Sequence, residues 1–493
     1  MNPKSVLNTR NYILLLFCLL FLSIPVLNHY FYRTSALDLG IFNHAIYNYA
    51  HFKTSYFSLG LTPQETGIIE CLGNHFSPLI FLLAPFYFIF GTYTLLIVQV
   101  AFIIAGGIGS YRYSSLLTEN EFTKQTVMIH FFCIWGIYSA LAFDFHLNVI
   151  AAMLVPWLFV FNKKGNIKSL LLVSILILLT RENMSLWLAF IFTGLWIDKK
   201  LRFSGFTKLI YPAAIAISII YFVTVTSYIM PGFVPYESSG QLARYSHLGN
   251  NLSEIVKTII LEPFQSVKML FSNTKQGDIY QPIKTELHLM VLLAGGWLFL
   301  FRPSFLVMLV PIYFQKLLSN DPGMWGINYH YSIEFVPILS LLFIEVTSGI
   351  NHKKWLYPVT LSILVLTASS TTYTFFHRKS IWYTEVKANP FSPTHYKSNL
   401  QIQTINHQLN TIPQNSAVSC HYSLAPHLAY REEIYHFPNI KNAEYIVLLK
   451  NTTSFYPLQK DEYLEKIEAY RNSEIFSIWS ESNDLIIFSK SKK

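Results

Sequence analysis

Residues 74–93 read NHFSPLIFLLAPFYFIFGTY, and whether this stretch crosses a membrane decides the fold. Its apolar part, 76–90, carries Pro78 and Pro85 and runs at once into a second apolar segment. A crossing helix needs about 20 apolar residues, so ~15 suit an interfacial or re-entrant helix better than a span. Working outward, candidate spans fall at 12–30, 92–111, 127–143, 147–161, 167–180, 184–197, 208–230, 287–301, 303–318, 333–349 and 355–374, about eleven in all. If 76–90 does not cross, the short loops with Arg112 and Lys124, Lys163, Lys164 and Lys168, Lys199, Lys200, Arg202 and Lys208, Arg302, and Lys353 and Lys354 share one face with Lys4 and Arg10. Cytoplasmic loops collect Lys and Arg, which makes that face the cytoplasmic one. If 76–90 does cross, the same clusters divide between two faces. The non-crossing reading sorts the basic loops, and it is the one adopted.

Composition supports a membrane before any span is drawn. A chain of 493 residues would ordinarily make about three soluble domains. Here 52% of residues are hydrophobic and 13% charged, against roughly 25% charged in soluble domains, and mean hydropathy is +0.36. The excess of 36 basic over 27 acidic residues would suggest nucleic acid in a soluble chain; membrane topology explains it here, and no nucleic-acid partner is expected. The run 11–30 lacks a small-residue cleavage site after it and reads as an anchor that stays. Cys18, Cys71, Cys133 and Cys420 show no metal spacing; Cys71 and Cys420 would pair only if both faced an oxidising side.

The outer face then holds a first loop (31–91), short turns at 143–147 and 180–183, a large loop (231–286), the turn 319–331 and everything after 374. The segment 375–493 is polar with mixed charge and reads as a small extracytoplasmic α/β domain, set apart from a transmembrane part at 1–374. Within it, 393–412 reads as a helix stopped by Pro413, and 417–420, 433–437 and 443–449 as strands. A helix over 461–471 and a hairpin of 474–479 with 485–489 complete it. The fold class is thus an all-α polytopic membrane protein with a C-terminal α/β domain.

Ionisable groups at the ends of spans are costly and commonly face a cavity or site. In this topology Asp38, His75, Asp144, His146, Arg181, Glu182, His330 and Tyr331 all gather on the outer face, where a random scatter would split between leaflets. Each has a plainer reading. Asp38 could cap the helix 39–49; Asp144 and His146 could solvate a tight turn; Arg181 and Glu182 could form a structural ion pair. His75 and His330 could be satisfied interfacial histidines, and His44 packing or surface. There is no GxxxxGK[ST], HExxH, CxxC or GxSxG, which disfavours ATP-driven transport, zinc proteolysis and serine hydrolysis. No internal repeat marks an inverted-repeat transporter.

In order along the chain, DLGIFNHAIYN, NHFSPLIFLLAPFY, FDFHLNVIAAMLVPWLF, TRENMSLWL, RYSHLGNN, NYHYSIEFVPIL and AVSCHYSLAPHLAYREEIYHFPNI resemble the predicted membrane proteins of domain-of-unknown-function family 2079, over about 36–449. That family is similar to the GT-C superfamily of multi-span glycosyltransferases using polyprenyl-phosphate-linked sugars. The resemblance implies a GT-C-like transmembrane fold, membrane-lying helices in the first outer loop and an acidic residue there, which falls on Asp38; the acidic pair usual in GT-C enzymes is absent beside it. It also implies a bacterial inner membrane. On this reading Asp38, with Asp144 second, relieves an acceptor hydroxyl of its proton. Arg181, helped by His330 or His146, meets the charge developing on the leaving lipid phosphate; His75, Glu182 and Tyr331 complete the substrate-binding set. The partners are the bilayer, a polyprenyl-phosphate sugar and a glycan, lipid or protein acceptor. No cofactor or metal ligand is assigned, and a divalent metal is left open. The alternatives are a non-enzymatic transporter or lipid-binding protein using the same polar outer cavity, and a scaffold presenting its tail.

Overall fold

The computed structural model describes residues 3–60, 70–206, 208–234, 240–350 and 352–491; the chain is mostly helical, with one small sheet near its C-terminus. Helix occurs in every segment read as a span, yet eleven crossings are not what the structure shows. Among the described residues four helical stretches are long and apolar enough to cross: Thr9–Tyr30, Leu79–Ser114 (whose unbroken part is Thr94–Ser114), Ile210–Phe233 and Lys353–His377. The reason is length. Leu147–Lys163, Ile167–Leu178, Ser304–Leu317 and Phe335–Thr347 have 17, 12, 14 and 13 residues, or ~18–26 Å at 1.5 Å per residue, short of a ~30 Å hydrocarbon core. Elsewhere the backbone breaks the run. Ile134 is extended (φ −71°, ψ 130°) and separates Glu121–Cys133 from Trp135–Leu141. Gly295, at φ 94°, diverts the chain after Gln281–Leu293 into the 3₁₀ turn Gly296–Leu300. The stretch 74–93 is likewise broken, into Leu79–Leu83, Ala84–Phe86, Tyr87–Phe90 and Gly91–Tyr93 before the helix Thr94–Ser114. Gly91 sits at φ 56°, where a side chain would be strained.

The chain forms two compact units. One comprises Met1–Ser23, Gln99–Ile229 and Glu237–Asn389; the other comprises Ile24–Val98, Met230–Tyr236 and Pro390–Lys493. The first is a helical assembly packed through small residues. A methyl group on Gly194 would come within 2.5 Å of Met308 and 2.8 Å of the Ser304 carbonyl, so only glycine lets Glu182–Ile197 lie against Ser304–Leu317. Trp187 Nε1 seals the same contact on Met308 O at 3.1 Å. At the ends of these helices Arg302 binds Asp198 at 3.1 Å and Glu345 at 2.7 Å, Ser304 donates to Asp198, and Tyr113 donates to Glu345. Arg302, Asp198 and Glu345 side chains are all under 15% exposed. Removing one member of such a network strands the other charges, at a cost of about 3–5 kcal/mol. Arg302→Leu is therefore expected to lower the thermal midpoint of the purified protein by several degrees; a midpoint within one degree of wild type would show the network to be dispensable.

The second unit is built on a five-stranded mixed sheet. Strands β1 (Val418–Cys420), β2 (Ile434–His436), β3 (Tyr445–Leu449), β4 (Phe476–Glu481) and β5 (Leu485–Lys490) lie in the order β2-β1-β3-β5-β4. β1 pairs parallel with β2 and β3, while β5 runs antiparallel between β3 and β4. Alternate residues of the apolar strands face opposite sides. Val447, Leu449 and Ile487 pack on Ile405 and Leu409 of the helix Ile402–Leu409, together with Tyr32, Ala36, Ile41 and Leu59 from the N-terminal third. Ile446, Leu448 and Phe488 pack on Tyr463 and Ile467 of the helix Lys460–Arg471. The sheet thus divides two apolar cores, and residues 24–98 supply much of one. The helix expected over 393–412 is shorter than read. Lys397 is extended after the 3₁₀ turn Pro393–Tyr396, and Asp484 captures the Gln401 N–H at 2.6 Å. All four cysteines are free, and Cys71 Sγ lies 3.5 Å from Ser55 Oγ.

Candidate functional site

Six of the eight candidate residues belong to the first unit, on three turns far apart in sequence. The turn after Trp135–Leu141 places Asp144 in the left-handed region, at φ 58°, which Asp tolerates better than most residues. His146 is extended and opens the helix Leu147–Lys163. Gln99 holds both ends of this turn, donating to Asp144 O at 2.8 Å and accepting from His146 N at 2.9 Å. The result is that Asp144 and His146 are both buried.

The turn carrying His330 and Tyr331 meets it. Its Tyr329 is also left-handed, at φ 55°, and packs at a tilt on Phe143 with centroids 4.0 Å apart. The His146 and His330 rings lie 3.6 Å apart and nearly parallel, and Tyr331 packs on His330 at 4.2 Å. Two non-glycine residues at positive φ facing one ring stack are strain concentrated at one place, as functional sites tend to show. Below the stack, Asn148 Nδ2 donates to buried Glu334 at 2.8 Å. Buried Lys316 donates to the carbonyls of Met324 and Gly326 and lies 5.9 Å from the Tyr331 ring.

Arg181 and Glu182 form the third turn. Arg181 is extended and precedes the helix Glu182–Ile197, and its Nε lies 3.5 Å from Glu182 Oε1. Arg181 is within electrostatic reach of Glu334 and of Tyr245, and Tyr245 in turn of Tyr331. Tyr245 donates to Gln315 O at 2.6 Å, and burial pushes its phenol well above the ordinary value, so it remains a neutral donor. The arrangement gathers a guanidinium, an ammonium, two imidazoles and buried carboxylates, the donor and acceptor set that phosphate chemistry uses. Gln99, Asn148, Tyr245, Lys316 and Glu334 escaped the sequence reading. Gln99 alone carried a signal, as a polar residue in LLIVQVAFIIA.

Asp38 and His75 belong to the second unit. Asp38 is half-buried inside the π-helical turn Ala36–Gly40, and Ser35 Oγ donates to its Oδ2 at 2.7 Å. The following helix, Ile41–Ala50, begins at Gly40, so Asp38 is not its N-cap. Gly40 allows close approach: a methyl group there would meet Leu59 at 3.0 Å and Pro426 N at 3.6 Å. Asn43 donates to the carbonyls of Thr92 and Pro426, and His44 Nδ1 lies 3.2 Å from Ala429 O. The motif DLGIFNH thus pins the segment around the short helix Ala425–Leu428, with His44 in a packing role. His75 follows the one-turn helix Cys71–Asn74, and Ser77 Oγ donates to its carbonyl at 3.2 Å. No group of three His, Cys, Asp or Glu placed to hold a metal occurs among the described residues.

A family model described as "Predicted membrane protein (DUF2079)" matches residues 28–487. No curated protein matches. Among solved structures, the chain is similar to the apo Archaeoglobus fulgidus oligosaccharyltransferase at 11% identity and a TM-score of 0.39, covering 89% of this chain and 69% of that one. It is also similar to the same enzyme tethered by a disulfide to an acceptor peptide containing the NVT sequon, at 10% identity and a TM-score of 0.36, covering 89% and 68%. Likeness at that level carries no conclusion about fold or activity.

Proposed function

The chain belongs to the DUF2079 family of predicted membrane proteins, and from that premise we propose that it is a membrane glycosyltransferase of GT-C type, moving a sugar from a polyprenyl-phosphate carrier to an acceptor outside the cytoplasm. The observation that supports this reading most is the convergence, within one unit, of Asp144 and His146, of Arg181 and Glu182, and of His330 and Tyr331, with two imidazoles stacked at 3.6 Å. The acceptor oxygen attacks the anomeric carbon as the bond from that carbon to the phosphate oxygen breaks. The electron pair stays on the phosphate, where Arg181 with His146 or His330 offsets the developing charge. The acceptor proton passes to a carboxylate, for which Asp38, in the second unit, and Asp144, in the first, are the two candidates. Phosphate leaves as a stable anion, so one carboxylate suffices. The broken helix around 76–90 lies along the bilayer and helps seat the prenyl tail. Residues after 374 lie outside the cytoplasm and position the acceptor.

The test compares envelope glycans and glycolipids of a deletion strain with its parent. Loss of one sugar with accumulation of its polyprenyl-phosphate donor is expected. An unchanged profile, under conditions where the parent expresses the protein, would sink the transferase reading in favour of a transporter.

A further inference from the structure

We propose that the second unit carries a groove for a saccharide bearing an anionic substituent, a carboxylate or a phosphate. A cavity of about 700 Å³ opens in this unit, walled by side chains of residues 24–98 and of the C-terminal segment. That is within the ~300–1,000 Å³ usual for ligand sites. Arg431 lines it at 3% exposed. Its Nε donates to Leu428 O at 2.7 Å and its Nη1 to Ser416 O at 3.0 Å. Among the described residues no carboxylate lies within 4.0 Å of it, Nη2 has no protein acceptor, and no Asp or Glu lines the cavity. A buried charge without a counter-charge is expensive, and a guanidinium fork matches a planar or tetrahedral anion.

The remaining walls suit a sugar. Asn406 Oδ1 accepts the Tyr32 hydroxyl, which leaves the amide N–H groups of Asn406 to donate. Gln414 Nε2 donates to Tyr430 O, which leaves its Oε1 to accept. Planar amides with both functions pair well with vicinal hydroxyls. Tyr32, His427 and Tyr430 line the same cavity and add ring edges to its wall, their faces being packed on one another and on His29 and Tyr47. That the bound saccharide is the acceptor rests on the transferase reading; the binding itself does not.

The full chain in lipid nanodiscs is titrated calorimetrically with trigalacturonate, maltotriose and inorganic phosphate. Trigalacturonate is expected to bind at submillimolar concentration, at least tenfold more tightly than maltotriose, with phosphate competing. Asn410→Trp replaces an exposed residue lining the cavity and leaves every hydrogen bond named above in place; it should weaken trigalacturonate at least tenfold. Arg431→Gln should abolish the preference for the charged trisaccharide, with its melting midpoint recorded alongside. Absent trigalacturonate binding, or binding indifferent to Asn410→Trp, overturns the groove. Equal affinity for maltotriose overturns the anionic part, and binding of phosphate alone overturns the saccharide. If the groove binds while the deletion strain keeps every glycan, the transferase reading falls and the groove stands.

Discussion

Asp38→Asn is expected to lower sugar transfer by about 10²–10⁴-fold while leaving binding of the polyprenyl-phosphate donor unchanged. On the proposed mechanism the substitution removes the proton acceptor and little else. The amide keeps the carboxylate's shape, and its Oδ1 can still accept from Ser35 Oγ, which now bonds Asp38 at 2.7 Å. A capping role would make the change nearly silent, because Asn caps as well as Asp, and the helix Ile41–Ala50 starts at Gly40 in any case. Asp144→Asn is the matched comparison. Asn tolerates the left-handed backbone at φ 58°, so this variant probes the carboxylate without adding strain. Turnover in nanodiscs with a radiolabelled donor separates the outcomes. Loss in Asp38→Asn alone assigns the base, and loss in Asp144→Asn alone transfers the role to Asp144. Full activity in both would remove carboxylate base catalysis from either position.

Mild acid should unfold the second unit well before ordinary carboxylates titrate. His44, His421 and His436 are at most 3% exposed, and burial lowers each to about 4. The unfolded chain takes up its protons near 6.5. Stability is therefore complete above pH 6.5 and falls as pH drops towards 4, because the unfolded state binds the protons first. Each imidazole contributes a slope of about 1.4 kcal/mol per pH unit. Three acting together remove roughly 8 kcal/mol by pH 4.5, comparable to the whole stability of a typical domain. The acidic window is separate: Arg471, with Lys450, holds Glu481 down to about 2, so its contribution is lost only as pH falls from about 4.5 towards 2. Hydrogen exchange on peptides from β1, β2 and β3 at pH 7.5, 6 and 4.5 would read the effect. Deprotection below pH 6 is expected, with a shallower pH dependence in His436→Phe. Protection unchanged at pH 4.5 would mean that these histidines take up protons without leaving the fold.

β3 and β5 were legible because each is a short apolar run bounded by turn residues, while β4, FSIWSE, was legible as the other arm of a hairpin with β5. The eight polar residues at the ends of apolar runs were picked out by position along the chain. Their grouping was not. Nothing local in FDFHLN or NYHYSIE says that His146 and His330 will stack, since that depends on Gln99 fixing one turn and on Tyr329 turning back at φ 55°. The partners of buried cations are illegible for a related reason. Lys316 donates its N–H groups to the carbonyls of Met324 and Gly326. Lys284 does the same on Met269, Ser272 and Leu317. Hydropathy registers such residues as boundaries because it counts charge and not the acceptors that satisfy it. Breaks at Ile134 and Gly295 were missed because no proline marks them.

The packing of residues 24–98 against the C-terminal sheet also sets a timetable. Ribosomes add ~5–20 residues per second, so the chain after residue 98 takes on the order of tens of seconds to complete. Throughout that interval Asn43 and His44 lack the carbonyls of Pro426 and Ala429, and Tyr32, Ile41 and Leu59 lack the apolar face they finally cover. The first loop is made near the beginning and finished last. A ribosome stalled before codon 390 would leave a membrane-inserted chain whose earliest segment is still waiting to fold, and quality control would meet it there.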